Sequence, residues 1–323
     1  METLVYQEQP RVALQQAPVS SGDGFIIANT KVVDLQELKK ECIIPVFSKD
    51  NEITISHDSF IDTVTDTVHQ FYHGEQILSP AIRASHPVKG RIPEAKGKPA
   101  HLLADYEKPL YYEHMAFIME VASIRDNVAG NDLSLCIGGV RAYNHENLYS
   151  RKTEERFKLF VGFQNKVCMN LCISTDGYKA DVRVRTPEEL ANHVYRLLSE
   201  YNAINQIKQM SELPEHSITE QQFAQLIGRL RMYPYLGKSD KQAIPELTLG
   251  DNQINAVVKD YYRDESFCRE EDGSINLWRL YNLFTGANKS SYLDTFADRS
   301  VDIFEFARLL QDNLDDKSFW YLN

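Results

Sequence analysis

The feature that most constrains this chain is a change of hydrophobic period at residue 186. In "YKADVRVR", just before it, Tyr178, Ala180, Val182 and Val184 point one way and Lys179, Asp181, Arg183 and Arg185 the other, the alternation of a strand with one solvated face. Just after it comes "TPEEL", in which Thr186 caps a helix, Pro187 takes the first helical position and Glu189 closes a capping box. Leu190, Val194, Leu197, Tyr201, Ile204 and Ile207 then recur at intervals of three and four, the spacing of one helical face. A single segment cannot satisfy both periods, so the chain divides here into a sheet part and a helical part.

The sheet part is legible as far back as residue 113. "LSLCIGGVRAY", "RFKLFVGF" and "VCMNLCIS" read as strands, and the turns "GND", "QNK" and "TDG" separate them at hairpin lengths. "MAFIMEV" fits a strand or a helix. Residues 25–74 read as mixed α/β, with strands at "FIIAN", "CIIPVF" and "ITIS" and a short helix at "DLQELKKE". A longer helix follows, capped by Ser56, running to about His73 and closed by Gly74. Residues 75–110, with "SHPVKGRIPEAKGKP", show no periodicity and predict a long loop. In the helical part, Ser217 with Glu220 offers a second capping box. Helices are predicted over about 251–262, 275–285 and 302–313, with Trp278, Tyr281 and Phe284 in the core. The expected fold is α+β: an antiparallel β meander core with an N-terminal α/β segment, over residues 25–186, and a helical region over 187–323 packed on it. Residues 1–24, rich in Gln, Pro, Ser and Gly, read as a flexible lead-in with no secretory pattern.

Cys168 and Cys172, in "FVGFQNKVCMNLCIST", are two of only five cysteines. On a strand, positions four apart lie about 13 Å from each other, too far for a disulfide or a shared metal ion. Small sheet residues are therefore the expectation. An odd number of scattered cysteines and the lack of a long apolar run point to reduced thiols, a cytoplasmic location and no membrane span.

Two side-chain sets remain as candidate sites. Asp62, Asp66, His69 and His73 follow spacings of four, three and four, which would place two carboxylates and two imidazoles on one helical face, a ligand type that suits zinc or manganese. "HQFYH" has the histidine spacing of a metalloprotease helix but not its glutamate, and any solvated helical face shows the same residues. The second set is basic. Net charge is −11 overall, yet residues 80–186 carry +4 between flanks of −7 and −8. Arg156, Lys158, Lys179, Arg183 and Arg185 fall opposite the apolar faces of their strands, forming a basic strip suited to phosphate contacts. Lys89, Arg91, Lys96 and Lys98, with Arg83, could add a basic arm from the loop. The bland alternative is the polar outer face of an antiparallel sheet.

Other templates fail. No GxGxxG, P-loop or GxSxG motif occurs, so no cofactor is expected and no nucleophile with its base is identified. "CREEDGSINLWR" carries the loop glycine of a calcium hand, but Cys268 and Arg279 occupy its first and last ligand positions.

"CIIPVFSKDNEITISHDSFI", "SHPVKGRIPEA", "LCIGGVRAYN" and "FKLFVGFQNKVCMNLC" together resemble an uncharacterised Bacteroidetes domain-of-unknown-function family linked to conjugative transposons and other mobile elements. The stretch from "GGVRAYN" through "VCMNLC" is similar, more weakly, to phage- and plasmid-related proteins. Neither resemblance implies catalytic residues; both imply a bacterial cytoplasm and genes carried on mobile DNA. The resulting expectation is a noncatalytic mobile-element accessory protein that binds single-stranded or structured nucleic acid, or a nucleoprotein partner. Two alternatives stay open. One is an acidic DNA mimic that occupies a DNA-binding enzyme such as a restriction complex. The other is a metal-dependent enzyme built on the His69/His73 helix.

Overall fold

The structure, a computed structural model, describes residues 24–28, 30–41, 55–89, 93–95, 97–108, 110–143 and 154–322. In chain order the first elements are β1 (Lys31–Val33), α1 (Leu35–Glu41), α2 (His57–Phe71), β2 (Ala81–Ala84), β3 (Pro87–Lys89) and β4 (Leu110–Tyr112). The meander follows as β5 (His114–Val128), β6 (Asn131–Ala142), β7 (Glu155–Asn165), β8 (Leu171–Cys172) and β9 (Tyr178–Val184). The rest is α3 (Pro187–Glu200), α4 (Ala203–Glu212), β10 (Ser217–Ile218), α5 (Glu220–Met232), α6 (Lys238–Ala243), α7 (Asp251–Arg263), β11 (Ile275–Asn276), α8 (Leu277–Asn288) and α9 (Phe296–Asp312). The α+β expectation holds, with the change of period at residue 186 marking the passage from sheet to helices.

The main sheet runs β1-β2-β5-β6-β7-β8, with β9 also on β7, and every pairing in it is antiparallel. Odd-numbered residues of β7 (Phe157, Leu159, Val161, Phe163) enter the main core with α2 and α3. Even-numbered Phe160 joins a second, smaller core on the other face, with Phe25, Ile26, Ala116, Cys136, Val140, Leu293 and Phe296. Alternation along a strand thus feeds two cores, one on each side of the sheet.

Several local expectations change. Residues 75–110 are not a plain loop, because β2 fills the place between β1 and β5. Four residues, "AIRA", are too few to show a period, and only the open edge of β5 makes a strand of them. "FIIAN" is not a strand: Phe25 and Ile26 plug the second core, while Ile27 N and Ala28 N donate to the Lys289 carbonyl at 2.7 and 3.1 Å. "CIIPVF" and most of "ITIS" lie outside the described residues. α2 starts at the Ser56 cap, whose hydroxyl accepts from Ser59 N, but stops at Phe71. At α3 the Thr186 hydroxyl accepts from Glu189 N at 3.3 Å, while the Glu189 carboxylate reaches Arg185 N at 2.7 Å, one residue before the cap. The apolar run after residue 186 is broken by a second cap, Asn202, and Ile204 is left 84% exposed. The second capping box uses Thr219 and Gln222, since Ser217 is engaged in β10.

Strands β6 and β7 approach their neighbours so closely at Gly138 and Gly162 that a methyl group would overlap the Phe117 and Cys172 carbonyls respectively. Gly162→Ala is expected to lose about 1–3 kcal/mol by forcing β8 off β7, measured as a shifted urea midpoint with unchanged slope.

Candidate functional site

The basic strip is assembled in part. Arg156 and Arg183 are register partners across β7 and β9, so they share one face, with Lys158 two residues further along β7. Lys179 does not join them. Phe157 pairs with Val182 but Leu159 pairs with Lys179, so β9 carries one residue more than β7 between these pairs. This bulge inverts the alternation. It turns Lys179 toward α3, where Nζ meets Glu200 at 3.0 Å, and turns Tyr178 onto the face of Lys158. The regular alternation read from "YKADVRVR" is therefore corrected at its first two residues.

Lys158 is held by the start of α9: Nζ donates to the Asp294 carbonyl at 2.6 Å and to Asp298 Oδ2 at 2.5 Å. Tyr178 donates to the other oxygen of Asp298 at 2.8 Å, and the acidic partner beside this buried phenol pushes its pKa up, after the burial itself. Arg183 Nη2 lies 2.7 Å from Asp181 Oδ2, and Arg156 Nε lies 3.8 Å from Asp181 Oδ1. The hydrogen bond from Arg183 holds the Asp181 carboxyl below its ordinary range. Arg185 lies past the end of β9, 3.6 Å from Glu154. Arg156, Lys158, Asp181 and Asp294 rim a half-open cleft of about 200 Å³ with Val140, Ala142 and Ala180 beneath them.

Of the basic arm, the described side chains of Lys98 and Arg83 have partners away from this cleft. Lys98 is tied to Glu107 at 2.8 Å, and Arg83 donates Nε to the Thr30 hydroxyl at 3.1 Å. Lys89 is the last residue of β3, and Arg91 and Lys96 lie outside the described residues.

The second candidate set is not brought together. α2 ends at Phe71, so His73 sits beyond the helix and off the face that the spacing predicted. Asp62 pairs with Lys39 at 2.8 Å, and Asp66, His69 and His73 stand in solvent. Among the described residues no three His, Cys, Asp or Glu side chains converge well enough to hold a metal ion.

Both cysteines are unbridged, but the segment that carries them is not the strand expected. "VCMN" is a turn, not a strand: Asn165 caps Val167 N at 2.9 Å, Met169 takes φ +58°, and only Leu171 and Cys172 form β8. The turn docks on α8, with Asn165 Nδ2 donating to Asn282 Oδ1 at 3.0 Å and Asn170 Nδ2 donating to the Asn282 carbonyl at 2.9 Å. Both thiols are free, and burial pushes Cys168 up to about 11 and Cys172 up to about 12. Such thiols are poor nucleophiles at neutral pH.

A buried ionic cluster was missed. Arg141 Nη2 meets Glu155 Oε2 at 2.6 Å, with side chains 0% and 1% exposed. Glu155 also accepts from Ile55 N at 3.1 Å, while Arg141 donates to the Ile55 carbonyl and lies over the rings of Tyr143 and Phe157 at 4.4 and 4.7 Å. The signal was present as one charged residue inside the apolar run "LSLCIGGVRAY". Beside it, His57 Nε2 lies 2.8 Å from the Tyr112 carbonyl, and its ring lies 4.7 Å from Tyr143. Burial, then the Arg141 charge, pulls His57 down to about 3. Sealed from solvent, this cluster ties the start of α2 to the sheet.

No helix among the described residues is long and apolar enough to cross a membrane. No curated protein and no solved structure is similar to the chain. A family described as "Domain of unknown function, B. Theta Gene description (DUF3871)" matches residues 7–322, and that description mentions neither mobile elements nor phage or plasmid proteins. With nearly its whole length matched, the chain belongs to this family of unknown function.

Proposed function

We propose that the protein is a noncatalytic binding protein whose basic face across β7 and β9 takes a phosphate of single-stranded or structured nucleic acid. The supporting observation is the placing of Arg156 and Arg183 side by side across the ladder, both sharing Asp181 and both about half exposed. A planar guanidinium binds a phosphate through two parallel bonds, and two of them can clamp one group. Their present ion pairs are no obstacle. Exposed pairs are worth about 0–1 kcal/mol, so a phosphate can displace Asp181 at small cost. A role as a mobile-element accessory rests on the resemblance alone. The acidic-mimic reading makes the opposite prediction, binding to a basic protein and none to nucleic acid.

Fluorescence anisotropy with labelled single-stranded DNA, single-stranded RNA and duplexes, over a salt series, tests the proposal. Binding is expected to weaken as salt rises, and Arg156→Glu/Arg183→Glu should weaken it about tenfold or more and flatten the salt slope by about two. Absence of binding at low salt, or equal binding by the variant, overturns it.

A further inference from the structure

The near-match of residues 268–279 to a calcium hand gains a context in the fold. Two helix–loop–helix units, α4 with α5 and α7 with α8, are joined by the ladder β10–β11, in which Ser217 faces Asn276 and Ile218 faces Ile275. The units correspond about this ladder. In each, the residue after the isoleucine caps the outgoing helix: Thr219 accepts from Gln222 N at 3.2 Å, and Asn276 accepts from Arg279 N at 2.9 Å. Gln222 and Arg279 therefore hold equivalent places. With Gly273 as the sixth residue of the loop, at φ +85° as the sharp turn of a hand requires, Arg279 is the twelfth, where a calcium hand places its bidentate glutamate.

Each ligand position of this loop has a partner within the chain. At the first position the Cys268 carbonyl accepts from Arg279 Nη1 at 3.0 Å, and at the third Glu270 Oε1 meets the same nitrogen at 2.8 Å. At the fifth, Asp272 Oδ1 accepts from Ser274 N at 2.8 Å and from its hydroxyl at 2.7 Å. At the seventh, the Ser274 carbonyl accepts from Glu270 N at 2.8 Å. In the other unit, Gln222 folds back to accept from Thr219 N at 3.0 Å. Glu220 links the two units, accepting from Tyr262 at 2.9 Å and facing Arg269 at 3.4 Å.

We propose that residues 203–288 form a paired calcium-hand-like unit in which the Arg279 guanidinium takes the place of the ion, leaving a latent divalent-cation site that charge reversal opens. A guanidinium supplies positive charge and fixed donors to the Cys268 carbonyl and the third-position Glu270 carboxylate, neutralising that carboxylate as Ca²⁺ does in a functional hand. The loop is then ordered at every calcium concentration.

The test compares the wild-type protein with Cys268→Asp/Arg279→Glu, which restores the two missing acidic ligands. Wild-type amide exchange over residues 268–276 is expected to be the same with chelator and with millimolar Ca²⁺. The double variant should bind Ca²⁺ with Kd of about 10⁻⁴ to 10⁻³ M and melt at a higher temperature with Ca²⁺ than without. A Ca²⁺-dependent protection of the wild-type loop overturns the proposal, and so does a folded double variant indifferent to Ca²⁺. If the double variant does not fold in either condition, Arg279→Gln decides. Loss of the guanidinium should speed exchange over 268–276 about tenfold, and an unchanged rate overturns the proposal.

Discussion

Arg141→Met is expected to destabilise the protein by about 3–5 kcal/mol, among the largest effects of any single substitution in the chain. The Arg141–Glu155 pair is wholly withdrawn from water, and Glu155 also anchors the backbone of Ile55, one residue before the cap of α2. Removing the cation leaves a buried carboxylate facing an apolar side chain, which costs several kcal/mol in desolvation that the bond from Ile55 N offsets only in part. The double variant Arg141→Met/Glu155→Leu should recover much of the loss, because a well-packed apolar pair carries no desolvation penalty. Equilibrium unfolding in urea of the two single variants and the double gives the coupling directly. A loss below about 1 kcal/mol for Arg141→Met would mean that water reaches the pair in solution.

Stability should also fall steeply in mild acid, through His57. Its pKa is about 3 in the folded protein against 6.5 for an ordinary imidazole. Below pH 6.5 the unfolded chain therefore takes up a proton that the native protein refuses. The stabilisation is complete above the unfolded pKa, falls as pH decreases, and is exhausted below the folded one. At 1.36 kcal/mol per unit the whole window is worth about 4–5 kcal/mol, of which about 2 are lost by pH 5, before most carboxylates titrate. Chemical denaturation at steps between about pH 7 and 5 reads this slope, and His57→Gln, which keeps a donor for the Tyr112 carbonyl, should flatten it. An unchanged slope in that variant would assign the acid sensitivity to other groups.

Much of the sheet and its switch to helices was legible in the sequence because those features are written locally. Side-chain alternation fixes the two faces of β6 and β7, and Thr186-Pro187 begins a helix whatever surrounds it. The candidate site was legible only as a list of cations. That Arg156 and Arg183 lie side by side follows from the register of β7 against β9, and that Lys179 leaves them follows from a bulge with no sequence marker. The metal-ligand pattern on α2 depended on two more helical residues than the segment forms, since the helix ends at Phe71.

What the sequence determined by itself is the kind of most long elements and the switch from strand to helix at residue 186, since these depend on neighbours within about one helical turn or two strand residues. The tertiary structure alone decided that "AIRA" becomes a strand, that "VCMN" becomes a turn held by Asn282, that Arg141 finds Glu155, and that Arg279 closes the loop before α8. In the first three, backbone or side-chain groups take their partners from an element far away in the chain, and in the last from the adjoining loop; only the assembled fold says which partner that is.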